Sequence, residues 1–220
     1  MARGKNAKSD FPLFANKTKK GSAKRAWNSG KAMGQKRAFT PQELAEIASQ
    51  LQRIRDDPLS IRNLAILRTG VDTMLRASDL LALTVGDVYR GGVIVSDFDV
   101  RQKKTQASLN CDLLEEARAA LAEWIRVGWD FEPDPADRLF PITRRAYGNI
   151  VKAWATMIRL DPTRYGTHSI RRSKAREVYR RTKNLEVVRQ LLGQKSLGAT
   201  SAYLGIDRED ARAISKEVRI

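Results

Sequence analysis

From residue 40 onward, apolar positions recur at helical spacing over most of the chain and give way to strand-like alternation in one short stretch. Thr40-Pro41-Gln42-Glu43 carries a helix start: Thr can cap, Pro suits the first helical position and Glu sits at the capping-box site. Leu44, Ile47, Ala48, Leu51 and Ile54 then share one face, and Asp56-Asp57-Pro58 closes the segment. A second helix is predicted from about Ser60 to Thr69, ahead of Gly70. Ser78 is placed to cap a short apolar helix through Leu80, Leu81 and Leu83 that stops at Gly86-Asp87. Between Tyr89 and Leu109 the character changes. Gly91-Gly92 opens Val93-Ile94-Val95, and Phe98, Val100 and the polar run Gln102-Lys103-Lys104-Thr105-Gln106 follow, which predicts a small antiparallel sheet with tight turns. The helical period returns over 112–127, 143–159, 167–183, 185–193, 197–203 and a final amphipathic segment, 207–218. The expected fold class is mainly α with a small antiparallel β-sheet (α+β).

Residues 1–39 lie outside this pattern. The first 40 residues hold eleven Lys/Arg against one acid, Asp10, so this end carries +10 of the formal net charge of +16. With scattered glycines and no period, residues 1–39 read as a disordered basic arm, either a solubilising terminus or a grip on DNA phosphates, and 40–220 read as one folded domain. A hydrophobic content of 42% over 220 residues suffices for a real core. Such a charge surplus is self-repelling unless a polyanion is the partner, which puts nucleic acid first and an anionic membrane surface second. The single cysteine, Cys111, excludes an internal disulfide framework and a cysteine-based zinc site, and the single histidine, His168, excludes a histidine-rich metal site. No window approaches a membrane span and no secretory signal is evident, so a cytoplasmic protein without metal or cofactor is expected.

His168 and Arg171 lie three residues apart on one helix face, where both can address a single phosphate. Any His-x-x-Arg taken alone is better explained as a cap beside a surface cation. Downstream, Leu192, Gly193, Gln194, Thr200 and Tyr203 stand at the spacing Leu-Gly-His, five residues, Thr, two residues, Tyr. Here the chain resembles the tyrosine recombinase (phage integrase) family, with Gln194 where that family has His or sometimes Trp. The stretch Thr69 to Leu83 resembles the family's first active-site box and puts its arginine at Arg76. The hairpin lysine, which precedes Thr in the family, matches Lys104-Thr105 better than Lys103. The resemblance runs over about residues 40–218.

That resemblance implies an enzyme that breaks and rejoins DNA one strand at a time. Tyr203 would attack the scissile phosphate and leave a 3′-phosphotyrosyl link and a free 5′-hydroxyl, retaining the bond energy. Arg76 and Arg171 would hold the non-bridging oxygens, and His168 would take the tyrosyl proton or stabilise the transition state. Lys104 would protonate the departing 5′-oxygen, and Gln194 would donate one hydrogen bond without carrying charge. The expected partner is double-stranded DNA, engaged by a tetramer on paired sites with or without accessory proteins, in the cytoplasm at the nucleoid. The final helix, with its stripe of Ile206, Ala211, Ile214 and Val218, either packs on its own domain or docks on a neighbouring protomer. Most family members carry a helical core-binding domain before the catalytic one; here only the basic arm precedes Thr40, so the arm or a partner protein is expected to complete the grip. Two other readings stay open: a type IB topoisomerase-like relaxing enzyme, and a DNA-binding regulator weakened by Gln194. Integration, excision, inversion and resolution are not distinguished, nor is the target sequence.

Overall fold

The computed structural model describes residues 35–54, 56–129 and 132–205; the basic arm up to Gly34 and the predicted helix over 207–218 lie outside them. Helix α1, Pro41–Arg53, starts at its capping box: Thr40 Oγ1 accepts the Glu43 N–H at 3.2 Å, and the Glu43 carboxylate accepts the Thr40 N–H at 2.8 Å. Helix α2, Pro58–Thr73, begins two residues before the expected Ser60 and continues past Gly70. The Asp57 carboxylate accepts the N–H groups of Leu59 and Ser60, so the Asp-Asp-Pro run that reads as a stop for α1 is the start signal of α2. Gly70 is retained within the helix because a Cβ there would lie 3.1 Å from Ile170 and 3.3 Å from Leu80.

Helix α3, Ala77–Leu80, has Arg76, not Ser78, at its N-cap, and α4, Val85–Val88, follows behind Thr84. The expected single sheet is two separate antiparallel ladders. Strands β1 (Tyr89–Arg90) and β2 (Val93–Ile94) flank Gly91-Gly92, whose φ values of 58° and 82° suit glycine; β3 (Asp97–Arg101) pairs with β4 (Ser108–Asp112), setting Phe98 opposite Cys111. Both of those residues are buried, and burial pushes the Cys111 thiol up to about 11, leaving it inert at neutral pH. Because β4 takes up residues through Asp112, α5 is Glu115–Gly128 and starts later than the periodicity suggests. Helices α6 (Arg144–Met157), α7 (Thr167–Thr182), α8 (Leu185–Leu192) and α9 (Leu197–Leu204) complete the described part. None of its helices is long and apolar enough to cross a membrane.

The main core gathers around α2 and includes Ile66, Leu67, Leu80, Leu121, Phe140, Tyr147, Trp154 and Ile170. A smaller cluster of Met74, Ala175, Val188, Leu192 and Leu204 fastens α8 and α9 against α7 and the end of α2. Eight-residue helices are marginal in isolation, so this cluster holds α9 in place; each fully buried leucine contributes about 1.5–3 kcal/mol. The described residues ahead of the capping box are packed as well. Phe39, 2% exposed, stacks on Tyr165 at 4.2 Å, its N–H donates to Ser173 Oγ at 2.9 Å, and the Arg37 N–H donates to the Arg164 carbonyl at 2.8 Å. Residues 35–39, grouped with the arm by charge, are tied into the fold by apolar burial and backbone hydrogen bonds.

Candidate active site

Helix α7 presents His168, Arg171 and Arg172 within about one turn. Arg171 is 2% exposed, and its Nη2 donates to the Leu192 carbonyl at 2.7 Å. Burial is the main cause that pushes its pKa down to about 10, which still leaves a full cation at neutral pH. Its Nη1 is buried with no hydrogen-bond partner among the described residues. Arg76 reaches the same region from the N-cap of α3: its Nη1 donates to Gln102 Oε1 and lies 3.9 Å from the buried Asp79 carboxylate. Asp79 Oδ1 in turn accepts the Lys103 N–H at 3.1 Å, linking α3 to the β3–β4 turn.

Tyr203 stands on α9, whose start is closed by Ser196 Oγ accepting the Ala199 N–H and by the buried Thr200 hydroxyl donating to the Ser196 carbonyl. Its ring lies under two guanidiniums, Arg172 at 4.9 Å and Arg171 at 5.9 Å, and its hydroxyl donates to the His168 carbonyl at 3.5 Å. Desolvation raises the phenol above its ordinary value and outweighs the opposing pull of Arg171, Arg172 and Arg76, so the group is protonated at neutral pH. The His168 ring lies 6.4 Å from that of Tyr203 between centroids. Its pKa is lowered, first by desolvation and then by Arg171, Arg172, Arg144 and Arg76, so the imidazole is neutral and able to accept a proton near pH 7. Because the chain has one histidine, its Cε1–H resonance reports this group alone. A proton NMR titration is expected to place the midpoint below 6.5, and Arg144→Gln, which removes a cation, should move it up. A midpoint at or above 6.5 would contradict the cationic surroundings.

Gln194 follows the turn that ends α8. The Gly193 N–H donates to the Gln190 carbonyl at 2.9 Å and the Gln194 N–H to the Arg189 carbonyl at 3.0 Å, with Gly193 left-handed at φ 56°. The side-chain Oε1 of Gln194 is buried without a hydrogen-bond partner among the described residues. Gly193 is confined as well as left-handed, since a Cβ would lie 3.0 Å from Leu109 and 3.1 Å from both amide atoms of Gln102. Gly193→Ala is therefore expected to cost about 2 kcal/mol, read as a lower denaturation midpoint; an unchanged midpoint would show that neither constraint operates. Lys104 and Lys103 both stand exposed on the β3–β4 turn, and the Lys104 side chain makes no hydrogen bond or ion pair with a described residue.

The fold thus gathers Arg76, His168, Arg171 and Tyr203, places Gln194 just past the end of α8, two residues after the Leu192 carbonyl that Arg171 bonds, and leaves Lys104 on the adjoining turn. It adds three residues that the sequence pattern does not single out. Asp79 is legible as an acid three places after Arg76, where an N-cap residue and the first helical turn meet. Arg172, whose Nη1 donates to the Lys36 carbonyl, looks like one more cation in a basic helix. Gln102 looks like one polar residue in a polar turn.

The profile described as the phage integrase family matches residues 37–209 of this chain. The tyrosine recombinase XerD of Yersinia pestis is 28% identical over 170 residues, which cover 74% of this chain and 56% of that protein. The putative integrase/recombinase y4gC of Sinorhizobium fredii is 28% identical over 169 residues, 73% of this chain and 85% of that protein. Among solved structures, the XerH site-specific recombinase in its post-cleavage complex with palindromic difH substrate superposes with a TM-score of 0.66 at 21% identity, over 83% of this chain and 53% of that one. The catalytic domain of bacteriophage HP1 integrase gives 0.54 at 17% identity, over 83% of this chain and 95% of that one. At these identities the structural likeness is one of fold. The chain spans little more than half the length of XerD and almost all of the HP1 catalytic domain.

Proposed function

The chain belongs to the phage integrase family, and on that premise we propose that it is a site-specific DNA recombinase that breaks and rejoins strands through a 3′-phosphotyrosyl intermediate on Tyr203. The observation that carries this reading is a buried cationic site with unused donor capacity, Arg171 Nη1, beside a tyrosine ring packed on two guanidiniums. An unpaired buried guanidinium donor is costly unless an anion completes it, and a phosphodiester supplies two non-bridging oxygens for Arg76 and Arg171. As Tyr203 Oη attacks phosphorus, the bond to the 5′-oxygen breaks. The phenolic proton passes to neutral His168, directly or through water, and Lys104 delivers a proton to the departing oxygen once DNA draws its turn inward. The two arginines meet the charge that grows on the pentacoordinate phosphate. Gln194 offers an amide hydrogen bond without charge. The phosphotyrosyl ester keeps the bond energy, so rejoining reverses the same steps.

Double-stranded DNA is the partner, and a tetramer on paired sites, with or without accessory proteins, follows from exchanging strands between two duplexes in the cytoplasm at the nucleoid. Residues 1–34 hold nine Lys/Arg against one acid and supply non-specific grip. Deleting them, and not residues 35–39, which the fold uses, should flatten the slope of log affinity against log salt by up to about 8. Fluorescence anisotropy across a salt series checks this, and an unchanged slope would remove the arm from DNA binding.

The deciding experiment is covalent trapping of the whole chain. Protein is incubated with supercoiled and nicked DNA from the source cell and denatured in detergent. Adducts are digested with nuclease and the modified peptide is identified by mass. A nucleotide attached to Tyr203 is expected, and sequencing the trapped ends reveals the target. DNA binding without any adduct would overturn the enzyme reading in favour of a DNA-binding regulator, the alternative that the uncharged Gln194 favours.

A further inference from the structure

We propose that Gln102 is a positioning residue that sets Arg76 and Arg171 relative to each other and ties both to the turn carrying Lys104; the proposal rests on the strand-transfer reading above. Gln102 is 0% exposed although its neighbours Arg101, Lys103 and Lys104 are all exposed. Its Oε1 accepts from Arg76 Nη1 and, at 2.6 Å, from Thr105 Oγ1, while its Nε2 donates at 3.2 Å to the Leu192 carbonyl. That same carbonyl accepts Arg171 Nη2 at 2.7 Å. The orientation of the amide follows from its partners, since a guanidinium only donates and a carbonyl only accepts. A continuous path therefore runs Arg76, Gln102, Leu192 carbonyl, Arg171. The backbone of Gln102 also closes the turn, its N–H donating to the Ala107 carbonyl and its carbonyl accepting the Gln106 N–H, each at 2.9 Å.

Two guanidiniums cannot bond each other, because both are cations and donors. With the Leu192 carbonyl already accepting from Arg171, the link to Arg76 needs an acceptor facing Arg76 and a donor facing that carbonyl, and a neutral amide provides both while leaving each positive charge free for phosphate. A carboxylate of the same shape would accept from Arg76 but would neutralise it, and would face the Leu192 carbonyl acceptor to acceptor. Gly193 passes so close to the Gln102 amide that a Cβ would lie 3.1 Å from its oxygen and nitrogen, so the end of α8 is packed around this group.

The test uses the full chain and a duplex bearing the trapped site, with the scissile phosphodiester intact or replaced by a methylphosphonate, which lacks one charged oxygen. Gln102→Glu and Gln102→Leu are expected to form adduct about 100-fold more slowly than wild type on the phosphodiester, and within about 5-fold of wild type on the methylphosphonate, because the misplaced arginines then have less charge to meet. Equal losses on both substrates, or a wild-type rate for Gln102→Leu, would overturn the proposal. The wild-type rate on the phosphodiester separately tests the strand-transfer reading. A DNA-free measurement stands apart from both: in 15N-labelled protein the Nε–H signals of Arg76 and Arg171 should shift and broaden in Gln102→Leu while the backbone spectrum is kept. Unmoved arginine signals would overturn the positioning role whatever the activity.

Discussion

Tyr203→Phe is expected to abolish the covalent protein–DNA adduct, a loss beyond about 10⁴-fold, while leaving DNA binding intact. The substitution removes only the nucleophilic oxygen. The ring that remains still packs under Arg172 at 4.9 Å and Arg171 at 5.9 Å, and the lost hydroxyl contact, 3.5 Å to the His168 carbonyl, is a long one. Helix α9 stays anchored by Leu204 in the small core and by buried Thr200. The variant should therefore unfold close to wild type, and any loss reads as chemistry. End-labelled DNA in a denaturing gel and anisotropy on the same preparation separate the two quantities. An adduct that persists in Tyr203→Phe would move the nucleophile elsewhere.

Arg171→Ala and Arg171→Lys are expected to slow adduct formation by about 10²–10³-fold, with lysine recovering little of the loss. The guanidinium spans from the Leu192 carbonyl at Nη2 to the unpartnered Nη1, and an ammonium is a single point that cannot serve both positions. Burial that takes this arginine down to about 10 would act on an amine that starts nearer neutrality and strip its charge more readily. The stability cost in Arg171→Ala should be modest, because the Leu192 carbonyl still accepts from Gln102 Nε2 and is not orphaned. Single-turnover rates on the trapped site give the measurement, and a Lys variant as fast as wild type would deny the bidentate role.

Local signals in the chain were strong where neighbours in sequence are neighbours in space. The Thr40 capping box, the helical face shared by His168 and Arg171, and the Leu192-Gly193 turn ahead of Thr200 and Tyr203 are all readable because hydrogen bonds and side chains three or four residues apart meet. The same local logic misplaced the start of α2. Asp57 can end one helix or cap the next, and Gly70, which reads as a stop, instead fits closely against Ile170 and Leu80 inside the helix. The split of the β region into two ladders has a similar origin, for strand alternation marks a buried face without naming the strand it pairs with.

What the sequence by itself determined was therefore the mainly helical order of elements, the family resemblance and the residue types of Arg76, His168, Arg171 and Tyr203, each legible from spacing within its own segment. Only the tertiary structure decided that Gln102 joins Arg76 to Arg171 through the Leu192 carbonyl, that Arg172 covers the Tyr203 ring, and that residues 35–39 belong to the fold. The physical reason is that periodicity reports whether a side chain is turned toward an apolar interior. A buried amide or guanidinium is set by its particular partner, and those partners lie on different helices and turns.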